Sequence, residues 1–70
     1  MPLIIAPINN QFKIVKILLD HKTKKHLESL GIVVNETITV LSKTNGNVIC
    51  IIKDGRLALD KDIATKILVA

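Results

Sequence analysis

The dipeptide Asn45-Gly46 separates two segments that alternate in polarity, Glu36 to Lys43 and Asn47 to Lys53. A two-residue hairpin of type I′ needs φ > 0 at both central positions, and Asn-Gly meets that need better than most pairs. The turn therefore fixes an antiparallel hairpin and limits what the rest of the chain can build around it. In the first arm Ile38 and Val40 share one face, with Thr37 and Thr39 on the other. In the return arm Val48, Cys50 and Ile52 share a face, and Ile49 and Ile51 point the opposite way. Asp54-Gly55 reads as a second tight turn, after which Arg56 to Leu59 forms another strand. Upstream, Phe12 to Leu19 is rich in β-branched residues and reads as a strand, with Lys13 and Lys16 toward water and Val15 and Ile17 inward. Ile67 to Val69 is a last short strand.

Between the first strand and the hairpin, from Asp20 to Gly31, the period changes. Asp20 or Thr23 can cap a helix N-terminus by accepting a bond from a free backbone N–H. Leu27 and Leu30 then lie on the inner face, while Lys24, Lys25, Glu28 and Ser29 point outward. Gly31 stands where a left-handed residue ends a helix, and Ile32 can fold back on Leu27. Asp60 caps a second, shorter turn of helix through Ala64. Pro2 and Pro7 bracket an apolar arm, Leu3 to Ala6, and Ile8-Asn9-Asn10 reads as a turn into the first strand. Seventy residues make one small domain, 1–70. The expected fold is mostly β: a small SH3-like barrel of about five strands with one short inserted helix, since closure removes long exposed edges. The alternative is an open α+β meander with the helix across one face.

Composition removes several function classes. With 49% hydrophobic residues the chain is not disordered, yet its apolar runs fall far short of the ~20 residues of a spanning helix, so direct membrane insertion is not expected. No secretory signal is visible at the N-terminus, and a lone cysteine fits a reducing compartment; the expected location is the cytoplasm. Cys50 sits mid-strand and reads as a small buried hydrophobe rather than a reactive thiolate. No nucleophile has a base near it, so the chain does not read as an enzyme. His21 and His26 are five residues apart, roughly 140° around a helix at ~3.6 residues per turn. They share no face and have no second ligand pair, so a built metal site is not expected and no ligands are assigned.

Two features point to a partner. The stretch Lys22-Thr23-Lys24-Lys25-His26 is the densest charge cluster in a chain of net charge +4, suited to an acidic protein surface or to phosphates. Aliphatic side chains also occupy both strand faces: Ile49, Ile51 and Leu41 point outward, enough to mark a protein contact or self-association surface. Nucleic acid meets an objection, because single-strand binders stack bases on aromatic rings and Phe12 is the only one here. The same lack rules against a polyproline groove.

The run Leu27-x-x-Leu30-Gly31-Ile32-x-x-Asn35-Glu36-x-Ile38-x-Val40 resembles the R-L-x-E-L-G-L-x-P-G-x-x-I-x-V core of the FeoA family. The tail from Gly55-Arg56-Leu57-Ala58-Leu59-Asp60 through Ile67-x-Val69 is similar to that family's closing segment, and the resemblance spans essentially the whole chain. Val34-Asn35 stands where the family has Pro-Gly, Asn10 replaces a common glycine, and Asp60 replaces a usual basic residue. The resemblance implies a small cytoplasmic accessory protein of bacterial ferrous iron uptake, peripheral at the inner membrane through its partner, a FeoB-type permease with a GTPase domain. It also implies transition-metal binding at the family level, with no required cofactor. Lys24, Lys25 and Glu28 on the helix and Ile49 and Ile51 on the strand are the candidate contact residues. The competing reading is a basic SH3-like module that binds RNA or ribosomes.

Overall fold

The computed structural model describes residues 1–53 and 55–70. Five strands form one antiparallel sheet: β1 (Gln11–Ile17), β2 (Thr37–Thr44), β3 (Asn47–Ile52), β4 (Gly55–Leu59) and β5 (Ile67–Val69), in the spatial order β4-β3-β2-β1-β5. This is the mostly β, SH3-like arrangement the alternation predicts. Helix α1 (His21–Ser29) is inserted between β1 and β2, and α2 (Lys61–Lys66) joins β4 to β5. The second helix is longer than the single turn expected, running two residues past Ala64. The apolar arm is a 3₁₀ turn, Leu3–Ile5.

The β2–β3 hairpin forms as its turn dictates. Asn45 and Gly46 have φ of 53° and 84°, both left-handed, and Thr44 pairs with Asn47. Val48, Cys50 and Ile52 are buried and oppose Leu59, Leu57 and Gly55 of β4. Asp54, the first residue of the expected second turn, lies outside the described residues.

Strand β1 corrects the expected parity. Ile14 and Ile17 are buried, whereas Val15 is 48% exposed. The register with β5 shifts between Ile14 and Lys16. A β-bulge adds one residue to a strand and reverses which side chains face inward beyond it. Alternation alone therefore put Val15 on the wrong side. The strand also ends at Ile17, two residues short of the expected Leu19, and Leu18 adds a last bond in the same register by donating its N–H to the Lys66 carbonyl at 2.8 Å.

Both helices start on aspartate caps. Asp20 accepts from the Thr23 N–H at 3.1 Å, and Asp60 Oδ1 accepts from the Ile63 N–H at 2.9 Å. Of the two residues that could cap α1, Asp20 does so. Its far end closes as a Schellman turn: Gly31 N–H donates to the Glu28 carbonyl, Ile32 N–H to the Leu27 carbonyl, and Gly31 has φ 97°. That turn stops the helix before Leu30 can swing inward, so Leu30 is 43% exposed and Leu27 alone is buried.

The core gathers Leu3, Ile14, Leu27, Ile32, Ile38, Val40, Val48 and the rest of the inner strand face, and no buried residue among those described is polar or charged. The chain ends complete the sheet. Met1 exchanges two backbone bonds with Val69, at 2.8 and 2.7 Å, and Ala70 exchanges two with Lys13.

Candidate functional site

The candidate residues occupy two separate places. Lys24, Lys25 and Glu28 lie on α1, Lys24 half-buried and the other two exposed. Among the described residues α1 makes no extended packing contact with another element; the Leu27 side chain is its anchor in the core. Lys25 and Glu28 are thus open to a partner, and Lys24 is partly so. Lys22 and His21 join them in the first turn, where the helix dipole disfavours cations. Thr23, through its hydroxyl and then its backbone N–H, holds the Asp20 carboxyl below the usual carboxylate range, so an anion sits at the mouth of this basic turn.

Ile49 and Ile51 lie on the outer face of β3, each half-buried rather than open. Ile49 floors a shallow groove of about 460 Å³ together with Ala58 and Leu59, rimmed by Thr44, Asn45, Asn47 and Asp60. The hairpin tip forms one wall of that groove by leaning on α2: a side chain at Gly46 would meet the Lys61 stem at 3.0 Å. Ile51 lines a second, polar groove of about 270 Å³ with Gln11, Thr37, Thr39 and the ion pair Glu36–Lys53, 3.4 Å. The outward isoleucines are therefore divided between two grooves, and neither is joined to the α1 triad by an extended contact.

More exposed apolar side chains lie elsewhere. Ile5, Ile8, Val15, Leu18, Leu30 and Val34 are each between 43% and 62% exposed. Asn35 N–H donates to the Ile14 carbonyl and Ile14 N–H to the Glu36 carbonyl, which brings the Val34 loop alongside β1. Sequence reasoning placed two of these, Val15 and Leu30, on the inner side. The β1 bulge, invisible to period counting, exposes Val15, and Leu30 lies exposed at the end of α1.

The residues present do not fit a resident metal. Among the described residues no group of three or more His, Cys, Asp or Glu side chains converges. Burial pushes the Cys50 thiol up to about 11, so at neutral pH it is protonated and a poor ligand. Its Sγ lies 3.5 Å from the Leu57 carbonyl, a contact suited to a weak S–H donor. Phe12, the single aromatic ring, packs partly buried against the core and offers no stacking platform.

Comparison with known proteins places this arrangement. The family model described as the FeoA domain matches residues 1–70. The chain belongs to the FeoA family. Among solved structures, it is similar to an iron uptake regulatory protein (FeoA), at 29% identity and TM-score 0.87, covering 99% of this chain and 92% of that one. A FeoA-like protein from Clostridium acetobutylicum has 24% identity and TM-score 0.84 over 100% of this chain and 84% of that one, a likeness of fold. Iron(II) transport protein A from Clostridium thermocellum shares the fold at TM-score 0.90 and 21% identity; 99% of this chain matches only 44% of that longer protein. No curated protein matches the chain significantly. Within the FeoA fold, Asn35 at φ 77° fills the turn where the family has glycine. At the first turn the left-handed residue is Asn9, φ 62°, rather than Asn10.

Proposed function

We propose that this FeoA-family protein is a non-enzymatic accessory protein of ferrous iron uptake, acting in the cytoplasm by binding a FeoB-type membrane GTPase permease. Membership of the FeoA family over the whole chain supports the role in ferrous iron transport. The observation that carries the docking reading is α1: a capped, basic helix held to the fold by Leu27, with Lys24, Lys25 and Glu28 directed away from the core. A helix presented in this way reads an acidic surface on a partner, and complementary charge raises the association rate and fixes orientation. The half-buried Ile49 and Ile51 supply apolar contact on the sheet side. No helix of the described residues is long and apolar enough to cross a membrane, and in this reading the permease supplies the link to the bilayer.

The test is co-purification with the permease's soluble domain and with the full-length permease in detergent. The double variant Lys24→Glu/Lys25→Glu is expected to lose capture in at least one of these formats. Unchanged capture in both removes the helix from the interface.

A further inference from the structure

The sheet has two edges, and the chain treats them differently. The outer side of β5 is covered by the chain's own start: Pro2 bridges to Leu68 and Met1 exchanges backbone bonds with Val69. Strand β4, among the described residues, packs extensively only against β3, and no backbone group from outside the sheet bonds to it. An open edge presents unpaired N–H and C=O groups that another strand can take up.

The side chains on that edge specify which strand. Leu57 is half-buried and Leu59 buried, so Arg56, Ala58 and Asp60 share the exposed side. Asp60 keeps extended geometry, φ −74° and ψ 168°, and prolongs the line by one position. Along the strand it reads cation, methyl, anion. Turned about a two-fold axis through Ala58, this line is its own complement.

We propose that β4 pairs antiparallel with β4 of a second copy of this chain, in the register that sets Arg56 against the partner subunit's Asp60. By symmetry Asp60 meets the partner subunit's Arg56, and the two Ala58 residues meet at the axis, where their methyl groups add no charge and no steric hindrance. Directly opposed residues lie about 4.5–5.5 Å apart at Cβ, well within reach of a guanidinium and a carboxylate. Asp60 is equipped for both duties: Oδ1 takes the Ile63 N–H, which leaves Oδ2 for the arginine. Neither Arg56 nor Asp60 has an ion-pair partner among the described residues. On the outer face Ala58 opposes Ile49 within each copy. Pairing therefore runs Ile49, Ala58, Ala58, Ile49 across the joined sheets and extends the outer apolar face from one copy to the next. The contact is isologous and closes as a dimer. A single five-residue edge is short for a permanent interface, so the association is reversible. This inference is independent of the permease reading.

Analytical ultracentrifugation of the full chain from micromolar to millimolar concentration should show a reversible monomer–dimer equilibrium. Arg56→Asp and Asp60→Arg each oppose like charges at two places and should weaken the dimer by about tenfold or more. An equimolar mixture of the two variants should dimerise again, because unlike charges then meet at both pairs; circular dichroism checks that each stays folded. Since Asp60→Arg also removes a helix cap, Ala58→Cys gives a second readout. Under mild oxidation it should cross-link to itself at the axis, whereas Leu57→Cys, which opposes Leu59, should not. A wild type monomeric throughout, a dimer indifferent to Arg56→Asp, or a mixture no tighter than its components overturns the proposal.

Discussion

Cys50 shows how burial alone governs a residue that invites chemical interpretation. It is fully buried between β2 and β4, opposite Val40 and Leu57, and desolvation raises its thiol from 9.0 to about 11. A group whose pKa is raised on folding stabilises the fold fully below its unfolded pKa and loses that contribution as pH climbs to the folded value. Wild-type stability should therefore fall between about pH 9 and 11 more steeply than that of Cys50→Ala, measured by denaturant unfolding across that range. At neutral pH the same substitution should cost roughly 1–2 kcal/mol through the space it leaves. The inward place of Cys50 was legible from the alternation of β3. Gly31 was legible as the helix stop; its φ is 97°, and an added Cβ would stand 2.9 Å from Ile52 Cγ2. The groove beside Ile49 was not legible, because its lining brings Thr44, Asn45 and Asn47 of the hairpin tip together with Ala58, Leu59 and Asp60, which lie apart along the chain.

At the scale of elements, α1 and β1 mark what period counting can and cannot reach. Asp20, Gly31 and the Asn45-Gly46 turn announce boundaries through local backbone chemistry, and all three act where expected. The bulge in β1 arises from the pairing partner: β5 arrives with a register that Ile14 and Lys16 can satisfy only by skipping a residue. No feature within Gln11–Ile17 itself encodes that demand. The candidate contact residues follow the same division. Their outward direction was readable, but their separation into a helix triad and two sheet grooves depends on tertiary packing. Helix α1 carries one buried side chain, and a nine-residue helix is marginal on its own. Its amides should exchange with solvent well before those of β2 and β3 in native-state hydrogen exchange. Leu27→Ala, expected to cost about 2–4 kcal/mol, should widen that gap. Uniform exchange across helix and sheet would show that α1 is held by more than Leu27.

At the scale of the whole molecule, the sheet is organised around its two edges. One is sealed by residues from the start of the chain, and the other carries a charge pattern that fits a second copy. The helix that bears the basic cluster belongs to neither edge, so pairing through β4 and docking through α1 are compatible in one assembly. The mutual bonding of Met1 with Val69, and of Ala70 with Lys13, has a consequence for chain connectivity. Residues 1 and 70 lie on neighbouring strands' ends, so the fold can be connected through them and opened elsewhere. A short glycine linker from Ala70 to Met1 would make that connection, and residues 7–10 are all exposed. A circular permutant that starts at Asn10 and ends at Asn9 should keep the native circular dichroism spectrum and unfold in one cooperative transition. This is the wiring that would allow such a module to be spliced into the middle of a longer protein as readily as appended to its end.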